Sequence, residues 1–254
     1  MDVITNTKPS KTISITFGDV SENHYGNQKN GTLAKHGYSI QDLEFLKNKF
    51  EKKQIECELI RLDEVVGKDL GAGILIIKNG LKYFDIHHNE LFNELVNLNW
   101  DKKFLCPRRK KVFNKKARYN LCFSNENQEP DYESGKGRIY NFDDLPTLNK
   151  VRNQLNEFGD EFKKLEVEGN YYYSKKCYIG YHGDAERKKV FALRLGASMN
   201  LKYQWYQYSK KVKDEFNFVF NSGDMYVMSE KTSGNDWKKR NILTLRHSAN
   251  FNSL

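Results

Sequence analysis

The chain has 254 residues, of which 38% are hydrophobic and 30% are charged, and its net charge is +9 at pH 7. Because disordered chains are poor in aromatic side chains, an aromatic content of 13% excludes a largely disordered protein. No apolar run approaches the length of about 20 residues that crosses a bilayer, so we expect no membrane span.

The first residues and the cysteines predict an intracellular protein. The N-terminal stretch, MDVITNTKPSKTISI, lacks the apolar core of a secretory signal, so we expect no secretion. The four cysteines are scattered without a CxxC pair, which favours free thiols over a zinc site or a disulfide framework. We therefore expect a protein of the cytoplasm or nucleus. We also expect it to be a monomer.

The first hundred residues have the pattern of a small α/β unit. Ser39 and Asp42 have the spacing of a helix capping box and precede an amphipathic helix. Strands are predicted at residues 56–62 and 73–78, and a second short helix ends near Trp100. We therefore predict an N-terminal α/β extension over residues 1–100 and a second domain over residues 101–254.

A basic segment opens the second domain. Residues 102–118 contain nine Lys or Arg and no acid, which is typical of a protein that binds a phosphate backbone. A solvated basic loop is the alternative, but the interleaved Phe104, Phe113 and Tyr119 favour nucleic acid, because aromatic rings beside cations stack on bases. The residues expected to contact DNA or RNA are Arg108, Arg109, Lys110, Lys111 and Arg118.

Short strands dominate the rest of the chain. A helix is predicted at residues 145–158. Strands follow at residues 167–173, 177–181, 190–195, 201–207, 216–220, 225–229 and 242–247. A further strand is predicted at residues 138–142, which gives eight strands, the number found in a jelly roll. We therefore predict an α+β protein with a double-stranded β-helix (jelly roll) as its core, flanked by helices.

His182 and Asp184 form the pattern that indicates chemistry. Residues two apart on a strand share a face, so the imidazole and the carboxylate point to the same side. Together they supply two of the three ligands of a facial triad, which leaves open positions on an iron ion. A hydrogen-bonded pair at a strand end is the structural alternative.

Several other segments on both sides of this pair in the sequence add to the pattern. They are NYY (170–172), FALRLG (191–196), YQW (203–205), SGD (222–224) and, further upstream, RYNLCFS (118–124) with DY (131–132) and GKG (135–137). In order and spacing, residues 117–254 resemble the AlkB-like branch of the iron(II)- and 2-oxoglutarate-dependent dioxygenases. The upstream segments are similar to that family's substrate lid, which implies a lid within residues 102–140.

The resemblance implies a set of cofactor residues. Fe(II) would be held by His182 and Asp184, and 2-oxoglutarate would be held by Asn170 and Tyr172. Ordinary core packing remains the alternative for Tyr172, since tyrosine is common in strands. A turn position remains the alternative for Asn170.

The end of the chain departs from the family pattern, because the expected distal histidine and the following arginines are displaced. The last histidine is His247, beside Arg246, and neighbours on a strand face opposite ways. We favour His247 as the third iron ligand, with Arg194 gripping 2-oxoglutarate, since a buried arginine needs an anion. The alternative places Arg246 on 2-oxoglutarate and leaves iron with two protein ligands and His247 as a surface residue.

The resemblance also implies an activity. It is the oxidation, by O2 and 2-oxoglutarate, of a nucleic acid base, as demethylation or hydroxylation during modification or repair. A base in a duplex must leave the stack to enter such a pocket, which suits a basic segment and an aromatic lid. Two alternatives remain open at this point: hydroxylation of a protein side chain, and a non-catalytic jelly-roll module that binds nucleic acid.

Overall fold

The structure is a computed structural model that describes residues 10–251. The first nine residues lie outside the described residues. They include most of the stretch from which we predict that the protein is not secreted. Within residues 10–251 there are sixteen strands and four α-helices. The helices are α1 (Ile40–Glu51), α2 (His88–Val96), α3 (Pro146–Leu155) and α4 (Glu230–Ser233).

The strands divide into short early ones and longer late ones. Those before α3 are β1 (Thr12–Gly18), β2 (Val20–Glu22), β3 (Lys29–Gly31), β4 (Cys57–Arg61), β5 (Gly73–Ile77), β6 (Lys103–Cys106), β7 (Lys111–Asn114), β8 (Tyr119–Ser124) and β9 (Ile139–Asn141). Those after it are β10 (Glu166–Tyr172), β11 (Tyr178–His182), β12 (Val190–Gly196), β13 (Met199–Gln207), β14 (Lys210–Phe220), β15 (Met225–Met228) and β16 (Thr244–Asn250).

Two larger sheets carry the fold. The first has eight strands in the order β4-β5-β15-β12-β1-β10-β8-β9, and the second has four in the order β11-β16-β13-β14. Neighbouring strands are antiparallel, except that β8 and β9 are parallel. The hairpins β2–β3 and β6–β7 form two small sheets. The predicted α+β class is therefore confirmed.

Strand β1 lies in the middle of the eight-stranded sheet. It pairs with β10 on one side and β12 on the other, so Ser14 lies opposite both Asn170 and Arg194. Strands β4 and β5 also come from the first hundred residues. The sheet therefore draws its strands from both sides of the division predicted at residue 100.

The eight-stranded sheet is covered on both faces. Along β1, Ile13, Ile15 and Phe17 alternate with Ser14 and Thr16, because successive side chains of a strand point to opposite faces. The three apolar side chains pack in one core cluster with the helices. The helices contribute to it Leu43, Leu46 and Phe50 of α1, Leu91 and Leu95 of α2, and Leu148, Val151 and Leu155 of α3.

The other face packs on the four-stranded sheet. Ile74 and Ala192 of the first sheet share a core cluster with Tyr203, Trp205 and Leu245 of the second. Trp205 is fully buried, and its indole Nε1 donates to the Leu62 carbonyl oxygen at 2.8 Å. Burial of such a side chain stabilises the fold by about 2–3 kcal/mol, which holds the two sheets face to face.

Most predicted elements are present, with local differences. Ser39 and Asp42 form the predicted capping box of α1, and β5 is buried along its whole length. The last strand spans Thr244–Asn250, later than the predicted residues 242–247. Among the described residues, no helix is long and apolar enough to cross a membrane.

The segment predicted as a lid is only partly a surface structure. Tyr119–Ser124 forms β8, an interior strand between β10 and β9, and its Leu121 and Phe123 are fully buried. Non-local pairing with β10 places these residues in the sheet, and the lid function assigned to them stays a prediction. The β6–β7 hairpin, further upstream, lies outside the main sheets.

Candidate metal centre

Three predicted metal ligands meet between the two sheets. His182 ends β11 and lies directly opposite His247 on the neighbouring strand β16, with their ring centroids 4.4 Å apart. Asp184 follows two residues after His182, and its Oδ1 lies 3.5 Å from the Nε2 atom of each histidine. One ligand atom from each residue falls within 4.8 Å of the others, so the three side chains could hold one metal ion.

The protonation of the cluster suits metal binding. The Nδ1 atom of His182 lies 2.8 Å from the Gly180 carbonyl oxygen, which holds the ring proton on Nδ1 and leaves Nε2 free. Burial and the neighbouring His247 lower the pKa of His182 to about 4. Burial raises the pKa of Asp184, but His247 and Arg187 outweigh it and bring that pKa well below its usual range. At neutral pH the cluster therefore offers a neutral His182 imidazole and a carboxylate.

The turn between His182 and Asp184 is held by the segment after β15. A Cβ atom at Gly183 would overlap the carbonyl oxygen of Gly234, so the close approach requires glycine. The Asp184 amide donates to the Ser233 carbonyl at 2.9 Å, and the Asn235 side chain donates to the Asp184 carbonyl at 3.0 Å. This support comes from residues about 50 positions away in the sequence, so no local pattern signals it.

A cavity of about 500 Å³ lies beside the cluster, and Arg194 lines it together with the three ligands. Arg194 is 2% exposed, and its Nε and Nη1 atoms have no hydrogen-bond partner in the described part of the chain. Its guanidinium lies 5.6 Å from the ring centroid of Tyr226. Since a buried guanidinium stays charged and is costly without a partner, this side chain fits an anionic ligand.

The other predicted cofactor residues on β10 also line the cavity. Tyr172 is buried there, whereas the Asn170 amide is already engaged. Asn170 Oδ1 accepts from Arg118 Nε at 2.5 Å and from Asn120 Nδ2 at 2.6 Å, and Nδ2 donates to Glu168 at 3.0 Å. Asn170 therefore orients Arg118 within the cavity wall.

Arg246 lies outside the cavity, in contrast to its neighbour His247. Its guanidinium is 4.0 Å from the ring centroid of Tyr206 and 5.2 Å from that of Trp237. The alternation of side chains along β16 thus directs His247 inward and Arg246 to the other face. Of the two arginines predicted to hold 2-oxoglutarate, Arg194 lines the cavity beside the cluster and Arg246 does not.

The predicted nucleic-acid residues fall into two groups. Arg108, Arg109, Lys110 and Lys111 are exposed at the turn of the β6–β7 hairpin. Arg118 instead lines the cavity. The intervening Lys115, also part of the basic segment, is buried and donates to Asn23 and Asn120. The basic segment is therefore not one continuous exposed stripe.

Sequence reasoning missed an acidic group of cavity residues. Glu22, Glu168 and Glu186 line the cavity around the buried Arg187, which forms ion pairs with Glu168 and Glu186. Burial and the Glu186 carboxylate raise the pKa of Glu22 to about 7. These residues are far apart in sequence, so no local pattern signals them.

An α+β fold with a His-Asp-His cluster between two facing sheets defines a protein with a candidate three-ligand metal centre. No protein-family model matches the chain. It is 46% identical over 249 residues to Uncharacterized protein R156 of Acanthamoeba polyphaga mimivirus, a similarity that covers 95% of this chain and 96% of the viral protein. The chain therefore belongs to the family of that mimivirus protein.

Proposed function

We propose that the protein is an Fe(II)- and 2-oxoglutarate-dependent dioxygenase of the AlkB-like kind that oxidises a nucleic acid base. One observation carries the proposal. Arg194, whose buried Nε and Nη1 atoms have no hydrogen-bond partner in the described part of the chain, lines the same cavity as His182, Asp184 and His247. A metal site and a buried anion site in one cavity are what a carboxylate-bearing cosubstrate of a metal requires.

The strand order supports a jelly-roll core. From β10 onward, the second, seventh, fourth and fifth strands form the four-stranded sheet, and the first, third and sixth lie in the other. A jelly roll has this order, with its eighth strand between the first and the third. Here β1 occupies that place, between β10 and β12. Because β1 comes from the start of the described chain, the strand in this place does not carry Arg240 or Arg246, which supports the assignment of the anion site to Arg194.

The residues present fit the two cofactors. His182, Asp184 and His247 would hold Fe(II), and the bound metal would supply the redox chemistry of O2 and 2-oxoglutarate. Arg194 would bind the far carboxylate, beside the buried Tyr172. The protein's part is to orient the cosubstrate beside the buried Arg194, where water competes little with a guanidinium–carboxylate contact.

The position of the basic hairpin supports a nucleic-acid substrate. Phe104 of β6 stacks on the cavity-lining His24 with ring centroids 3.7 Å apart, and Asn27 donates to the Leu105 carbonyl at 2.9 Å. These contacts anchor the hairpin to the loop that forms one wall of the cavity. The cations at the hairpin turn are therefore held next to the cavity, where they can bind phosphates and raise the local concentration of a polyanion.

The test removes the proposed metal ligands and then compares the two arginines, Arg194 and Arg246, as ligands of 2-oxoglutarate. The wild-type protein should convert 2-oxoglutarate to succinate with Fe(II) and O2, and His182→Ala and His247→Ala should lose this turnover and bind Fe(II) at least about 100-fold more weakly. Arg194→Met should weaken 2-oxoglutarate binding about 10–100-fold with Fe(II) binding retained. Arg246→Met, the matched control, should bind both as the wild type does.

Two results would redirect the proposal. A wild-type protein that binds neither Fe(II) nor 2-oxoglutarate contradicts it and favours a non-catalytic nucleic-acid-binding module. Succinate formation that methylated DNA and RNA oligonucleotides never stimulate, with no oxidised base detected by mass spectrometry, contradicts the substrate and favours a protein side-chain hydroxylase.

A further inference from the structure

A second groove lies on the opposite face of the sheet from the cavity. Tyr119 and Tyr171 pair across β8 and β10 and line this groove, whereas the next pair, Asn120 and Asn170, lines the cavity. Successive side chains of a strand point to opposite faces, so the two sites are separated by the thickness of the sheet. The groove has a volume of about 600 Å³.

The groove is positively charged. Lys11, Lys102 and Lys103 line it and are exposed, and none of them has an ion-pair partner between residues 10 and 251. Among the described residues, no acidic side chain lines the groove. The nearby Asp101 is 1% exposed, and its carboxylate already accepts from Asn23, from the Tyr132 hydroxyl and from the Arg138 amide. The three ammonium groups are therefore free to meet a polyanion.

Aromatic rings form the wall between these cations. Tyr119 stacks on Tyr173 with centroids 4.2 Å apart, and both rings are half-buried, which leaves part of each open to the groove. Trp100 packs against Tyr171 beneath them at 5.2 Å. Lys102 Nζ lies 5.6 Å from the Tyr119 ring centroid. The groove thus combines aromatic rings with cations.

We propose that this groove binds a segment of single-stranded nucleic acid. Three lysines without an ion-pair partner among the described residues line the groove, which favours an occupant with many negative charges, and the partly open rings of Tyr119 and Tyr173 favour one that also carries flat rings. Single-stranded DNA or RNA combines both features, and base–aromatic stacking with backbone contacts to Lys is how such strands are bound without sequence preference. This surface needs neither the metal nor 2-oxoglutarate, so its binding can be measured apart from the proposed activity.

The probe is an oligothymidylate of about ten nucleotides, a length within the range of single-strand sites, with an abasic oligonucleotide of equal length for comparison. Binding is followed by fluorescence anisotropy at several salt concentrations, in the His182→Ala background without added metal. We expect Lys102→Glu with Lys103→Glu to weaken binding at least about tenfold and to reduce the salt slope. Tyr119→Leu should weaken binding of oligothymidylate and leave binding of the abasic strand unchanged.

The control makes the same change of charge at a surface far from the groove. Lys49→Glu with Lys52→Glu changes a half-buried and an exposed lysine at the C-terminal end of α1, which packs on β4 and β5 at the other end of the sheet. This variant should bind like its parent. The two exposed lysines of the groove can change without loss of folding, so the charge variant remains informative if Tyr119→Leu unfolds.

Two outcomes would overturn the proposal. In one, the groove charge variant binds oligothymidylate as its parent does, while Arg108→Glu with Arg109→Glu abolishes binding, which assigns the strand to the hairpin alone. In the other, the abasic strand binds as tightly as oligothymidylate, which leaves only a nonspecific attraction for polyanions. Neither outcome bears on turnover of 2-oxoglutarate, so failure here and failure of the proposed enzyme are distinguishable.

Discussion

The polar side chains of the cavity lie in one row across the eight-stranded sheet. Arg194, Ser14, Asn170 and Asn120 are consecutive cross-strand partners on β12, β1, β10 and β8, and all four line the cavity. Neighbouring strands are about 4.8 Å apart, so the row spans about 14 Å from end to end. Arg194 thus lies at one end of the row, and the engaged amides of Asn170 and Asn120 lie at the other.

Glu22 makes the stability of the protein depend on pH. Its pKa is about 7 in the folded protein, against an ordinary value of 4.5, because burial and the Glu186 carboxylate disfavour the charged form. Lys29 and the Gly26 amide act in the opposite direction, and Glu168 adds to the increase. Between these pH values the folded state binds more protons than the unfolded state, so the free energy of unfolding falls as the pH rises.

Removal of the Glu22 charge should therefore stabilise the folded protein most at high pH. We expect Glu22→Gln to raise the free energy of unfolding by about 1–3 kcal/mol at pH 8 and by less than about 1 kcal/mol at pH 5. Urea unfolding at both pH values measures the difference, with the exposed Glu44→Gln as the control. An effect of Glu22→Gln that is equal at pH 5 and pH 8 would contradict the assignment.

At the level of elements, the turn after β11 decides whether the metal ligands converge. His182 is in the strand, but Asp184 lies beyond it, in a loop without its own ladder of hydrogen bonds. The backbone of Ser233 and Gly234 and the side chain of Asn235 hold this loop from the segment after β15. The distance from Asp184 to the histidines thus depends on two segments packed backbone to backbone.

Gly183 tests that dependence. A Cβ atom there would overlap the Gly234 carbonyl oxygen, so Gly183→Ala must separate the two segments. We expect it to lower the free energy of unfolding by about 1–3 kcal/mol and to weaken Fe(II) binding strongly.

The matched control is Gly180→Ala, three residues earlier, within β11. No atom lies within 4 Å of a Cβ placed at Gly180, and its carbonyl still accepts from His182. Thermal unfolding and a metal titration under anaerobic conditions compare the two variants. Equal metal affinity for both would show that the contact with Gly234 does not position Asp184.

At the scale of the whole molecule, β1 joins the beginning of the described chain to strands from its second half. This strand comes first among the described strands but lies between β10 and β12, whose residues follow it by about 150 positions or more. Its Ile15 is fully buried against the helices, and its Ser14 faces the cavity. The folded state therefore requires contacts between distant parts of the chain before either the core or the cavity is complete.

We therefore expect the chain to unfold in one cooperative transition and its parts not to fold alone. A fragment of residues 101–254 would leave β10 and β12 without the strand between them, and their unpaired backbone groups would be exposed. Circular dichroism of this fragment should show little native structure, and mixing it with residues 1–100 should restore some. A fragment of residues 101–254 that melts cooperatively on its own would instead support two independent domains.

The sequence predicted individual elements better than their arrangement. The capping box of α1, the buried strand β5 and the run of strands after α3 depend on local periodicity and on turn residues, which can be observed within a short window. The segment 118–124 also alternates polar and apolar residues, yet it was assigned to a lid. Its place in the sheet comes from pairing with β10, about 50 residues away, which no local pattern reports.

For the candidate site, the sequence by itself determined the relations between near neighbours. The opposition of Arg246 and His247 follows from the two-residue period of a strand, whereas Asp184 lies beyond the end of β11 and is positioned by the segment after β15. Packing of the two sheets determined which face of β16 meets the cavity, and it left the Nε and Nη1 atoms of Arg194 buried without a hydrogen-bond partner among residues 10–251. The physical reason is that backbone geometry determines the directions of neighbouring side chains, whereas the packing of two sheets determines which direction is the interior.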